Sequence, residues 1–121
     1  MILSYRDLRV WQESMNLVTD VYKATESFPK NEMFGLSAQL RRAVVSVPSN
    51  IAEGSARKGK RELLNFLHIA KGSLAETTTQ LEIAKRLAFL SDESFEKLIE
   101  KGETIAKMIN SLIRSLNRKE E

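Results

Sequence analysis

Leu63, Leu67, Ala70, Leu74, Leu81, Ala84 and Ala88 recur at intervals of three, four or seven residues. That period places all seven on one side of a helix but on both faces of a strand, so it commits this part of the chain to helix. Two further seams obey the same rule: Leu36, Leu40, Val44, Val47 and Ile51, then Phe95, Leu98, Ile105, Ile109, Leu112 and Leu116. The first segment carries two stripes. Leu8, Trp11, Met15, Val18 and Tyr22 form one; Val10, Leu17, Val21, Ala24 and Phe28 form the other. Together they make an apolar face wider than a single seam needs. A helix that meets the bundle core with one stripe and a neighbouring subunit with the other would use both. On that reading Val10, Leu17, Val21 and Phe28 are oligomer-interface residues.

The breaks between these segments are short. Helices are expected over about residues 7–28, 32–56, 60–89 and from Ser91 to about Asn117. Ser4 is placed to cap the first, with Leu3 and Leu8 as a hydrophobic staple. Asn31 follows Pro29 and is placed to cap the second, and Ser91 the fourth. Arg114, Arg118 and Lys119 suit the negative end of the last helix dipole. "VVSV" at 44–47 has strand propensity, but the apolar period on both sides is helical. Pro48 removes a backbone bond to Val44 and predicts a kink near residues 44–48. Gly72 sits inside a helix at a cost of about 1 kcal/mol against alanine, which predicts close backbone approach there. Connections of a few residues favour antiparallel neighbours. The expected fold is therefore all-α, an antiparallel up-down-up-down four-helix bundle in one domain over residues 1–121.

The chemical inventory is thin. With no cysteine, disulfides, zinc ribbons and thiol chemistry are excluded. His68 is the only histidine, and a packing or surface role suits it better than catalysis. Bundle metal sites use Glu-x-x-His pairs, whereas Asn65 stands three residues before His68. Glu76 and Glu82 are six apart on one helix and so not on one face. No catalytic residue, metal or cofactor is expected. The start lacks a basic leader, and no run approaches about 20 apolar residues, so a cytoplasmic protein is expected.

"GSARKGKR" at 54–61 comes within one residue of a nucleotide-binding loop. Gly54, Gly59 and Lys60 match G-x-x-x-x-G-K, but Arg61 replaces the Ser/Thr that would hold magnesium. Such a loop follows a buried strand, and "VPSNIAE" before it reads as helix. The stretch is better read as a basic turn. Arg57, Lys58, Lys60 and Arg61 then join Arg41 and Arg42 as the candidate contacts to nucleic-acid phosphates, in a chain of net charge +3. Residues 41 and 57 lie about 24 Å apart along a straight helix, so they form two spots, without aromatic residues for base stacking.

"YRDLRVWQES", "FPKNEMFGLSAQLRRAVVSVPSNIAEGSAR" and "FLHIAKGSLAETTTQL" resemble the four-helix bundle proteins encoded in intervening sequences of bacterial 23S rRNA genes. The Gln39–Arg42 run, the segment from Ser49 to Gly54 and Ala70–Ser73 carry the resemblance, which covers about residues 4–90; helix four matches in pattern only. The family is also similar to the accessory protein of diversity-generating retroelements, a basic pentamer that binds nucleic acid and a reverse transcriptase. The resemblance implies a homopentamer, nucleic acid as partner, and a helix continuous through Pro48. It implies no reaction. An adaptor to a protein partner, such as an accessory subunit of a reverse transcriptase, is the alternative.

Overall fold

Ser4 opens the described part of the chain, and its side chain accepts the backbone N–H of Arg6 at 3.1 Å. A computed structural model describes residues 4–118. The proposed Leu3 staple and the helix-end role of Lys119 lie outside them. After a 3₁₀ turn at Tyr5–Asp7, four helices follow: α1 (Arg9–Thr25), α2 (Leu36–Ala56), α3 (Lys60–Arg86) and α4 (Asp92–Arg118). No strand occurs among the described residues. Each helix packs on its sequence neighbours, and α4 returns to α1, while the diagonal pairs α1–α3 and α2–α4 stay apart. One continuous apolar core fills the space between them.

The two stripes of α1 exchange roles relative to expectation. Val10 (6% exposed), Leu17 (1%), Val21 (0%) and Phe28 (6%) are buried inside the chain's own core. They are not available to a second subunit, and the interface assignment to these four is corrected. The wide apolar face exists because α1 lies between two neighbours, α2 and α4. The other stripe looks outward: Met15 and Tyr22 are exposed and Trp11 and Val18 half-buried.

Helix ends follow local chemistry, with three corrections. Ser4 caps the 3₁₀ turn and not α1, which starts after Leu8 without a side-chain cap. Asn31 does not cap α2. It lies in a 3₁₀ turn (Lys30–Glu32), and the first residue of α2, Leu36, donates its N–H to Glu32 Oε1 at 3.0 Å. A carboxylate here also suits the positive end of the dipole. Ser91 does cap α4, accepting from the N–H of Ser94 at 3.1 Å. Helix α3 stops at Arg86, three residues before the expected end, in a Schellman turn. Phe89 N–H bonds the Ala84 carbonyl at 2.9 Å and Ala88 N–H that of Lys85 at 3.0 Å. Ala88 holds the left-handed position (φ 63°) where glycine is usual.

Helix α2 passes through Pro48 without a break. One turn away, Asn50 Nδ2 donates to both the carbonyl and the hydroxyl of Ser46, each at 2.8 Å, and the Ser46 hydroxyl meets that of Ser73 at 2.8 Å. This polar chain ties α2 to α3 beside the proline. Nearer the connector, a Cβ on Gly54 would fall 2.8 Å from Phe66 Cβ and 3.1 Å from Leu63 Cδ1. Gly54 thus lets α2 and α3 approach closely; it does not end the helix, which continues to Ala56. Gly72 has no such role. Nothing lies within 4 Å of where its Cβ would stand, so the close approach expected there is absent.

Candidate nucleic-acid interface

The six candidate cations divide between two places, and the structure uses them differently. Arg41 lies near the start of α2, beside the end of α1. Its Nε donates to Thr25 Oγ1 at 2.8 Å, and its guanidinium carbon stands 4.5 Å from the centre of the Tyr22 ring. Nη2 also reaches the Tyr22 carbonyl at 3.5 Å. That carbonyl belongs to the last turn of α1, the negative end of its dipole. Arg41 is therefore a clamp between two helices, with much of its donor capacity spent. Arg42, the next residue, is exposed and shares a cleft of about 250 Å³ with Gln39, Ser46 and Glu76.

The other four cations surround the turn from α2 to α3. Arg57 folds back: Nη2 meets Glu53 at 2.8 Å, Nη1 meets Glu62 at 3.6 Å, and the guanidinium lies 5.2 Å from the Phe66 ring centre. Both ion pairs are exposed, so their contribution is small, and Arg57 mainly covers the α2–α3 junction. Lys58 and Arg61 are exposed and form no ion pair among the described residues. Lys60 and Arg61 occupy the first turn of α3, preceded by Gly59 at the cap position. A helix N-terminus carries partial positive charge, and cations there cost helix stability, by about 0.3–1 kcal/mol each at the surface. Only Glu62 offsets them within that turn. Positive side chains concentrated on a positive helix end serve stability poorly and an anion well.

Sequence spacing located these residues but not their partners. The clamp at Arg41 depends on Tyr22 and Thr25, which are sixteen or more positions distant, and no local pattern announces it. The near-match to a nucleotide loop dissolves on geometry. Gly54 lies buried inside α2, two residues before its end, so no free backbone amides curl around an anion at that position. His68 is exposed on α3, and Glu82 pairs with Arg86 at 3.0 Å on the same helix. Glu76 is likewise exposed. Among the described residues no group of three or more His, Cys, Asp or Glu is placed to hold a metal.

Four helices around one core, with charged side chains at their ends, define an all-α bundle. The model of the 23S rRNA-intervening sequence proteins matches residues 6–111, and the chain belongs to that family. The match runs into α4, beyond the residue-90 limit of the motifs seen in the sequence. The crystal structure of a protein of unknown function from the S23 ribosomal protein family of Bacteroides thetaiotaomicron is similar, with a TM-score of 0.78 and 25% identity. The similarity covers 86% of this chain and 97% of that one. No curated protein matches the chain. Among the described residues, no helix is long and apolar enough to cross a membrane.

Proposed function

We propose that this chain is a non-enzymatic, self-associating bundle of the cytoplasm that binds nucleic acid through its phosphate backbone. The observation that carries this reading is the α2–α3 turn, where exposed Lys58 and Arg61 and half-buried Lys60 crowd the positive end of α3 with a single acid in that first turn. Arg41 contributes to structure first, so Lys58, Lys60 and Arg61 carry more of the binding than the Arg41–Arg42 pair. Contacts of this kind are salt-sensitive and tolerant of sequence. The test is a mobility shift across a salt series with RNA and DNA. Absence of binding at low salt refutes the reading.

The apolar surface that remains exposed supports self-association. Met15, Tyr22 and Val45 are exposed on the α1–α2 side, and Ile69, Ile83 and Leu87 on the outer side of α3. Helices α1 and α3 are diagonal in the bundle. A contact that joins two unlike faces is head-to-tail, and such contacts close into rings when the rotation allows. A homopentamer, as the family resemblance implies, fits that pattern. Light scattering tests it, and a stable monomer at micromolar concentration rules it out.

The adaptor reading has its own support in Phe34, which is 91% exposed in the α1–α2 connection beside exposed Met33. An aromatic side chain so placed suits an anchor for a protein partner, such as a subunit of a nucleic-acid enzyme. A pull-down that survives nuclease treatment and is lost in Phe34→Ala favours this alternative.

A further inference from the structure

Residues 104–118 carry Lys107, Arg114 and Arg118 and no acid. Packing brings this stretch of α4 against the start of α1. There Arg9 and Lys107 flank a groove of about 510 Å³ whose floor includes Leu8, Val10, Met108 and Leu112. Ser111 also lines it, and Arg114 Nη2 donates to the Ser111 hydroxyl at 3.2 Å, which draws a third cation to the rim. All three cations are exposed, and none forms an ion pair among the described residues.

The groove and the α2–α3 turn share one end of the bundle. Tyr5 and Trp11, at the start of α1, line a second groove with Ser49 and Ala52 near the end of α2. Arg6 is exposed beside this groove, its guanidinium carbon 5.7 Å from the centres of both the Tyr5 and Trp11 rings. The charge is partitioned accordingly. Segments 4–13, 53–64 and 104–118 hold nine Lys and Arg against four Asp and Glu, whereas the rest of the described chain holds nine against ten. A chain whose net charge is modest overall is thus strongly basic at one end.

We infer that the α1–α4 groove is a second phosphate-contact site, and that a single strand of nucleic acid runs to it from the α2–α3 turn across Arg6. The inference rests on the nucleic-acid reading above and names a surface that reading did not include. Complementary charge selects a polyanion. The apolar floor selects a single strand, because its unpaired bases can turn onto the half-buried Leu8 and Met108, whereas a duplex keeps its bases stacked inside. None of the exposed side-face residues Met15, Tyr22, Ile69 and Ile83 lines the α1–α4 groove, so a ring built through those faces leaves it open.

The test is fluorescence anisotropy of a labelled, mixed-sequence single-stranded RNA against the full-length protein from about 50 to 200 mM salt. It compares wild type with R9A/K107A/R114A, with R41A/R42A, and with duplex DNA as ligand. Each phosphate contact removed from a single strand lowers the slope of log affinity on log salt by about 0.7, so the triple variant should lose about 2 from the slope and bind about 100-fold more weakly at 0.1 M salt. R41A/R42A should change the slope by less than half as much. Because removing Arg114 also removes its bond to Ser111, R9K/K107R/R114K serves as a second variant that keeps the charge; it should restore the slope. Wild-type binding with an unchanged slope in the triple variant overturns the groove assignment. Loss of self-association in the triple variant with RNA binding intact assigns the groove to a second copy and overturns it equally. Tighter binding of duplex than of single strand overturns the choice of a single strand. Failure of wild type to bind at about 50 mM salt instead refutes the nucleic-acid reading itself.

Discussion

Two glycines on adjacent helices should answer the same substitution with opposite signs. Replacing an interior helical glycine by alanine gains about 1 kcal/mol in backbone propensity wherever the new methyl finds room. At Gly72 nothing lies within 4 Å of the added Cβ, so Gly72→Ala should stabilise by about that amount. At Gly54 the methyl would stand 2.8 Å from Phe66 Cβ, an atom fixed to the α3 backbone, and 3.1 Å from Leu63 Cδ1. Carbon atoms rest at about 3.5–4.0 Å, so α2 and α3 must separate by several tenths of an ångström at least. Overpacking of this kind costs about 1–3 kcal/mol and outweighs the propensity gain. Gly54→Ala should therefore be destabilising by up to about 2 kcal/mol, with the two variants about 1–3 kcal/mol apart. Because the propensity gain is common to both, the difference isolates the helix–helix contact. Urea titration with matched slopes measures it; in thermal unfolding each kcal/mol corresponds to about 4 °C for a chain of this size. Equal effects of the two substitutions would refute the argument that Gly54 sets the α2–α3 approach. A Gly72→Ala loss that disappears on dilution would instead place a second copy against α3.

Ala88→Gly should stabilise by about 0.5–1 kcal/mol in the same titration, since glycine relieves the left-handed strain at φ 63° and only part of that gain is lost to unfolded-chain entropy. Arg41→Ala should lower stability by about 1–2 kcal/mol through loss of the Thr25 bond and the Tyr22 contact, and Arg41→Lys should recover less than half. A neutral Arg41→Ala would show that the α1–α2 clamp contributes nothing and would return Arg41 to the binding surface.

What could be read from the chain alone was periodic or local. Apolar spacing located four helices to within a few residues, because helical geometry repeats the same face every three or four positions. Ser91 was legible as a cap, since a serine before Asp92 and Glu93 satisfies the first turn by itself. Helix α2 could be followed through Pro48 because the apolar period continues on both sides. The basic turn at 57–61 was legible because four of its five residues are cations.

Tertiary structure decided what depends on distant neighbours. Periodicity shows that α1 has two apolar stripes but not which one faces inward; packing between α2 and α4 buried Val10, Leu17, Val21 and Phe28 and turned Met15 and Tyr22 outward. A glycine in a sequence does not say what it lies against, so the close approach expected at Gly72 is found at Gly54 instead. The α1–α4 groove combines Arg9 with Lys107 and Arg114, about a hundred residues apart, and no linear pattern carries that pairing. Hydrophobic spacing is encoded residue by residue along a helix; the identity of the surface a side chain shares is set only when the helices close around one core.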